Sequence, residues 1–427
     1  EASAKVDEAS VASSRLLDTA MRARSLSDVQ FARGAVLLDH DARAAAAALD
    51  GALDGYVDAE APVFLTETRL LRARAALQLG DRDMALRELE QGIAAYERHP
   101  QTSVLDAGRE VYEEAIRLTL DRGDVAAAFV WCERARGARA DSLAAVQQRL
   151  AGSGAMLVEP AELAGERIAF VIREDAATVM RRVASADRLF RELPLHGVTQ
   201  VIVVADPASD GAAIAASQLI DRVAVAFAPS ASVLRREATP PLSSIAAVAV
   251  ASRDLPSSRE ELAGLARLYP HALEALGTFA SVATARADVI HISGHSEGGN
   301  DTTLVFRGER ISPRRIAAAT LVGQPLVLLA ACATLRAARS PMRRTLSLGE
   351  GFLAAGARGV IGTVAPIADN DAREIFGRIH RHLAAGRSAV DALRLAQLES
   401  MSLDRNNAAW RAVALLTRFI EIEKESS

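Results

Sequence analysis

Lysine is almost missing from this chain of 427 residues, cysteine and aromatic residues are scarce, and neither a long apolar run nor a block of like charge occurs. Each shortage removes a class of protein. Lys5 and Lys424 are the only lysines, so arginine carries nearly all the basic charge; with the abundant alanine, this reads as genome composition rather than a binding surface. The net charge of −4 is spread without blocks, so neither nucleic acid nor an anionic membrane is expected as a partner. Cys132 and Cys332 lie far apart in segments of different character, which argues against a disulfide framework and for a reducing, cytoplasmic setting. No apolar stretch approaches the ~18 residues of a membrane-spanning helix. The opening EASAKVDEAS lacks the layout of a secretory leader. No Cys/His cluster has zinc spacing and no glycine-rich phosphate loop appears, so no metal or cofactor is expected.

What is present is ample material for buried cores, 50% of the residues being hydrophobic, over a length that suits two or three domains. Residues 1–152 are rich in helix formers with apolar spacings of three and four, and contain no strand-like run. Two segments share a pattern. LQLGDRDMALRELEQGI and LDRGDVAAAFVWCERAR each place Gly-Asp ahead of an alanine, Ala85 and Ala128, and LLDHDARAAAAAL is a weaker copy without glycine. Glycine at the turn and alanine where helices touch is what a stacked helix-turn-helix repeat requires, though the spacing exceeds that of a regular tetratricopeptide array. Cys132 sits in the second repeat as core packing. A break is expected over 151–165. From 153 to 427, apolar strands alternate with helices, including a hairpin over 167–183, a helix over 258–276, and strands ending at ADVIHIS and PLVLLAAC. Such runs imply a mainly parallel sheet covered by helices on both faces, with ligands beyond the strands' carboxyl ends.

The stretch HISGHSEGG, residues 291–299, has two readings. As Gly-His-Ser-Glu-Gly it fits the elbow that exposes a serine nucleophile, here Ser296, at the start of a helix. Gly298, Gly299, Asn300 and Asp301 then follow; they are turn formers, and no helix is expected to begin there. Alternatively His295 is a general base at a strand end. A thiol completes that reading, since Cys332 ends the next apolar strand, and an imidazole beside it would lower its pKa and later protonate the leaving amine. Histidine before cysteine is not the papain-like order. His291, four residues earlier, alternates in phase with His295 and is read as a strand residue.

The segments DVIHISGHSEG, PLVLLAACAT, SLGEGFLAAGARGVIGTVAPIAD and AAGRSAVDALRLAQ resemble the CHAT domain, caspase-like cysteine peptidases often found behind tetratricopeptide repeats. DRVAVAFAPSASVL resembles the stretch ahead of the family's histidine strand, and AAAFVWCERARGARADSLAA its last helical repeat. The likeness covers roughly residues 107–417. It implies a caspase-hemoglobinase fold with His295 as base, Cys332 as nucleophile, and the backbone N–H groups of Ser296 and Cys332 holding the oxyanion. Asp369 falls where the family carries an acid near the substrate cleft; capping of the following helix is the alternative. The chain departs from the family at Ser296 for glycine, Ala330 for serine and Ala365 for tryptophan; serine would be strained if its position needs positive φ. Arg336, Arg339, Arg343 and Arg344 crowd the loop after Cys332, which fits either an acidic substrate or a solvated loop. The expected function is a cysteine endopeptidase acting on a protein substrate, with a protein activator or adaptor on the helical repeats and a role in bacterial defence or programmed death. The alternatives are an inactive protein-binding scaffold and a serine hydrolase using Ser296.

Overall fold

The computed structural model describes residues 2–15, 19–99, 105–137, 139–238, 242, 244–249, 257–269, 271–273, 278–297, 302–306, 309–337, 339–340, 343–344, 346–404 and 409–422. The chain divides into two compact units, Glu1–Ala140 and Asp141–Ser427. The division falls ahead of residue 152 because the helix Leu143–Leu150 joins the second unit: Asp141 N–H donates to Ser232 Oγ (2.9 Å) and Gln147 Nε2 to Arg173 O (3.2 Å).

The first unit is helical: α1 (Ala2–Ser14), α2 (Thr19–Leu37), α3 (Ala42–Asp58), α4 (Leu65–Gln78), α5 (Arg82–Arg98), α6 (Leu105–Asp121) and α7 (Val125–Ala135). α2 packs on α3, α4 on α5 and α6 on α7, and the same local chemistry recurs at each turn. Asp41, Asp81 and Asp124 cap the second helix of each pair through their carboxylates. Gly80 (φ +80°) and Gly123 (φ +76°) precede two of these caps in the left-handed region, where a side chain is disfavoured. Their turns close with Asp81 N–H on Ala76 O (2.9 Å) and Asp124 N–H on Thr119 O (3.0 Å). The copy without glycine closes one residue tighter, Asp41 N–H donating to Leu37 O (2.8 Å). Four residues after each cap stands Ala45, Ala85 or Ala128, each with no exposed surface, and Cys132 is buried in α7.

The second unit opens with α8 (Leu143–Leu150), then β1 (Ala155–Leu163), β2 (Glu166–Ile172), β3 (Ala177–Met180), α9 (Ala186–Arg191), β4 (Gln200–Val204), α10 (Pro207–Ala216), α11 (Leu219–Arg222) and β5 (Ala224–Ala228). There follow β6 (Arg235–Ala238), β7 (Ser244–Ala249), α12 (Ser257–Leu265), β8 (His271–Leu273), α13 (Phe279–Thr284), β9 (Val289–Ser293), β10 (Ser296–Glu297), β11 (Thr303–Phe306), β12 (Glu309–Ile311), α14 (Pro313–Ala317) and β13 (Leu326–Ala330). The last elements are β14 (Arg339–Ser340), β15 (Arg343–Arg344), α15 (Leu348–Ala354), β16 (Gly359–Thr363), α16 (Asp369–Ala384), α17 (Ala389–Leu403), α18 (Ala409–Ala412), β17 (Val413–Thr417) and β18 (Phe419–Ile422).

One sheet runs β3-β2-β1-β4-β5-β17-β16-β13-β9-β7-β8. β17 is parallel to β5 and antiparallel to β16, so two blocks of parallel strands point in opposite directions and meet at that seam. β4, β5, β9, β13, β16 and β17 are buried throughout, as strands covered on both faces must be. The stretch expected as a break carries β1, which pairs parallel with β4 over Ala155–Val158 and antiparallel with β2 over Leu157–Leu163. Pro160 masked it as a linker; it lies beyond the β4 pairing, where its missing N–H leaves no gap in that ladder. The helix expected over 258–276 ends at Leu265, and His271–Leu273 form the edge strand β8, consistent with the proline at 270.

Two core contacts yield stability predictions. A Cβ at Gly351 in α15 would lie 2.7 Å from Pro313 O, so Gly351→Ala is expected to lower stability of the sheet unit by about 1–3 kcal/mol in urea unfolding. Ala128→Leu, which overfills a closed helix contact, should cost a similar ~1–3 kcal/mol, read in the helical signal of the first unit.

Candidate active site

Neighbouring parallel strands bring the two sequence candidates together. β9 and β13 pair from Val289 with Leu326 through Ser293 with Ala330. Two residues further along each strand stand His295 and Cys332, and Gly294 N–H donates to Ala330 O (3.3 Å) across the gap. Both are half-buried. The Ser296 hydroxyl donates to the Cys332 carbonyl and clasps one strand exit to the other. The thiol is turned towards the next strand: Cys332 Sγ donates to Ile367 O at 3.8 Å, while His295 Nε2 is buried without a hydrogen-bond partner among the described residues.

The turn carrying Cys332 is braced from β16. Thr363 Oγ1 donates to Ala331 O (2.6 Å), Thr363 N–H donates to Thr334 Oγ1 (2.9 Å), and Gly349 N–H donates to Thr334 O (3.1 Å). Thr334 and Thr363 have no exposed surface. Ala333, next to the thiol, lies at φ +52°, a left-handed conformation that costs an L-residue about 1–2 kcal/mol and that the brace holds in place.

Ser296 is in β10, not at the start of a helix, and its φ is not in the left-handed region, so the strain expected of serine falls on Ala333 instead. It stands opposite Leu304, with Val305 N–H donating to His295 O (3.0 Å). In that pattern the amide of Ser296 points away from the β10–β11 ladder. Gly298, Gly299, Asn300 and Asp301 lie outside the described residues. Asp369 is the first residue of α16, half-buried and two positions beyond Ile367; Ala368 occupies the cap position, so the carboxylate lies with Asp371 in the positively polarised first turn. Arg336 is exposed, and Arg339, Arg343 and Arg344 belong to β14 and β15. A cavity of about 640 Å³ opens beside Ile367, lined by residues 364–368 and by alanines of α10 and α18. Among the described residues no group of three or more His, Cys, Asp or Glu could hold a metal ion.

His291 is more than a strand residue. It is fully buried, and its Nδ1 lies 3.0 Å from His380 Nε2. Sequence reasoning also missed the Ile367 carbonyl and the Thr334–Thr363 brace. The one available signal was a lone threonine closing the apolar run GVIGT.

Comparison with solved structures identifies two chains of the Saccharomyces cerevisiae separase–securin complex. One matches with a TM-score of 0.56 at 10% identity over 98% of this chain and 48% of its own length. The other, in a separate crystal structure, matches with a TM-score of 0.57 at 10% identity over 99% of this chain and 46% of its own. The present chain therefore spans about half the length of those chains, and at this identity the likeness is one of fold. The Arg-specific cysteine proteinase gingipain R aligns over 54% of this chain and 66% of its own at 10% identity, with a TM-score of 0.40. A search of curated protein sequences found no significant match. The sheet unit, a mainly parallel sheet flanked by helices, has a caspase-like fold. The CHAT domain family model matches residues 155–417, more than half of the chain and nearly all of the sheet unit, and on that ground the chain belongs to the CHAT domain family.

Proposed function

We propose that the chain is a cysteine endopeptidase that cuts a partner protein with a His295–Cys332 dyad. The observation carrying this reading is the β9–β13 register, which sets the two residues at matching positions beyond adjacent parallel strands. In the reaction, His295 takes the proton of Cys332, and the thiolate attacks the scissile carbonyl carbon. The N–H groups of Ser296 and Cys332 hold the resulting oxyanion. The imidazolium returns its proton to the leaving amine as the C–N bond breaks, giving a thioester, and a water deprotonated by His295 releases the acid and frees the thiol. The thiol must first turn from the Ile367 carbonyl towards the imidazole, a rearrangement compatible with catalytic groups that align only once substrate is bound.

Asp369 stands beside the substrate cleft, where a carboxylate would receive a basic side chain ahead of the cut. The helical unit recruits the substrate or an activator, as stacked helical repeats present extended surfaces to proteins. The likeness to a chain held in a two-protein complex supports a protein partner. The setting is the bacterial cytoplasm, in defence or programmed death, in keeping with the resemblance. One observation favours a second reading, a protein-binding scaffold without activity: the thiol is bonded to Ile367 and not to His295.

A fluorogenic peptide library separates the two. Cys332→Ala and His295→Ala should each lower kcat/KM by about 10³-fold or more; equal rates for wild type and Cys332→Ala would leave the scaffold. Ser296→Ala loses only the clasp to Cys332 O and is expected to keep peptidase activity within about tenfold. Abolished hydrolysis in that variant, with Cys332→Ala still active, would instead mark a serine enzyme.

A further inference from the structure

Beneath the site runs a row of buried ionisable side chains that the dyad chemistry does not use. Tyr269 Oη lies 2.8 Å from His380 Nδ1, His380 Nε2 lies 3.0 Å from His291 Nδ1, and His291 Nε2 lies 3.3 Å from Glu261 Oε1. Both imidazoles have no exposed surface, and Tyr269 and Glu261 are buried. The row crosses the protein: Glu261 comes from α12, Tyr269 from the segment after it, His291 from β9 and His380 from α16.

Donor and acceptor counts leave one arrangement that satisfies the Tyr269–His380 and His380–His291 contacts with both imidazoles neutral. Tyr269 O–H donates to His380 Nδ1 and His380 Nε2–H donates to His291 Nδ1, which leaves the remaining proton on His291 Nε2, 3.3 Å from Glu261 Oε1 but outside hydrogen-bond geometry. We propose that this Glu261–His291–His380–Tyr269 chain is a positioning device: it fixes the exit of β9, and with it the His295 ring, and lets go when a proton enters the chain. The inference rests on the peptidase reading of His295 and Cys332.

Two features support it. His291 of β9 lies between His380 of α16, 3.0 Å away, and Glu261 of α12, 3.3 Å away, so the strand ahead of His295 is packed against both helices as well as its sheet neighbours. A second nitrogen-bound proton on His380 would also face the Tyr269 hydroxyl donor to donor, so a proton cannot enter without breaking or reversing the row. The charged and titratable groups around His380 are Tyr269, His291, Glu261 and, acting on Glu261, Arg373 of α16. Burial holds the His380 imidazole well below its ordinary value, so it is neutral. Burial pushes the Glu261 carboxyl up, but its neighbours His291 and Ser293 outweigh this and hold it below the usual range. Both signs point the same way. The unfolded chain protonates its histidine near pH ~6.5, before His380 can in the fold, so stability declines as pH drops below about 6.5. The Glu261 contribution is present above its unfolded value and lost as pH falls through its lower folded value. Protons have a route, since Glu261 lines an open cavity of about 530 Å³ between α12 and α16.

The test is the pH profile of Cys332 alkylation by iodoacetamide, followed by peptide mass mapping so that Cys132 does not interfere, with kcat and KM alongside. Alkylation needs no peptide substrate and reports the imidazole beside the thiol. His380→Phe, which removes both bonds, should slow Cys332 alkylation and lower kcat by about tenfold or more at neutral pH with little change in KM. His380→Gln offers one donor and one acceptor but takes up no proton. It should keep the neutral rates within about threefold and extend activity to lower pH. A His380→Phe profile matching wild type, or a His380→Gln acid limb identical to wild type, overturns the chain's role; if the phenylalanine variant does not fold, the glutamine acid limb decides. His295→Ala distinguishes the two failures. A wild-type alkylation profile in that variant overturns the dyad and with it the role of the chain, whereas an altered one beside unaltered His380 variants overturns the chain alone.

Discussion

The structure of the site depends on the register between two buried parallel strands. β9 and β13 are buried on both faces, so a slip in pairing would carry their side chains out of a core sealed by helices. That constraint fixes which residues emerge together at the sheet edge, and His295 and Cys332 emerge as neighbours. Everything polar at the site is arranged around this pair of exits: a serine clasp between them, a threonine brace beneath one, and a buried histidine row beneath the other.

The surrounding sheet explains why those exits are rigid. β16 lies beside β13 and supplies Thr363, whose two bonds hold the turn on which Ala333 adopts a left-handed conformation. β17 reverses direction beside β16, and β5, β4 and β1 extend the sheet beyond it, so β13 is an interior strand with no free edge. Strain next to a reactive group survives only where neighbouring bonds over-determine it, and here they come from a separate strand.

Much of this was legible from composition and period. The helical front, the Gly-Asp turns with their buried alanines, and most of the parallel strands follow from patterns of local residues, because each element's apolar spacing reports the face it buries. The unseen parts share a cause. β1 hid behind Pro160 and Glu159, which break an apolar run yet sit where the neighbouring ladder has ended. β8 was absorbed into a helix whose pattern outran its proline. His380 lies within the helix α16, and nothing local marks its pairing with His291, 89 positions away.

The sequence by itself determined the fold class and the family, and it singled out the histidine and cysteine that the proposed chemistry uses, since each is written in contiguous motifs whose chemistry is local. Only the tertiary structure decided that the thiol rests against Ile367, that the serine hydroxyl is bonded to the Cys332 carbonyl, and that a left-handed residue stands at Ala333. It alone also revealed that a row of ionisable groups lies sealed under the histidine strand. Those outcomes depend on hydrogen bonds between segments far apart in the chain, and a bond of that kind exists only once packing has excluded water and left each donor a single acceptor to find.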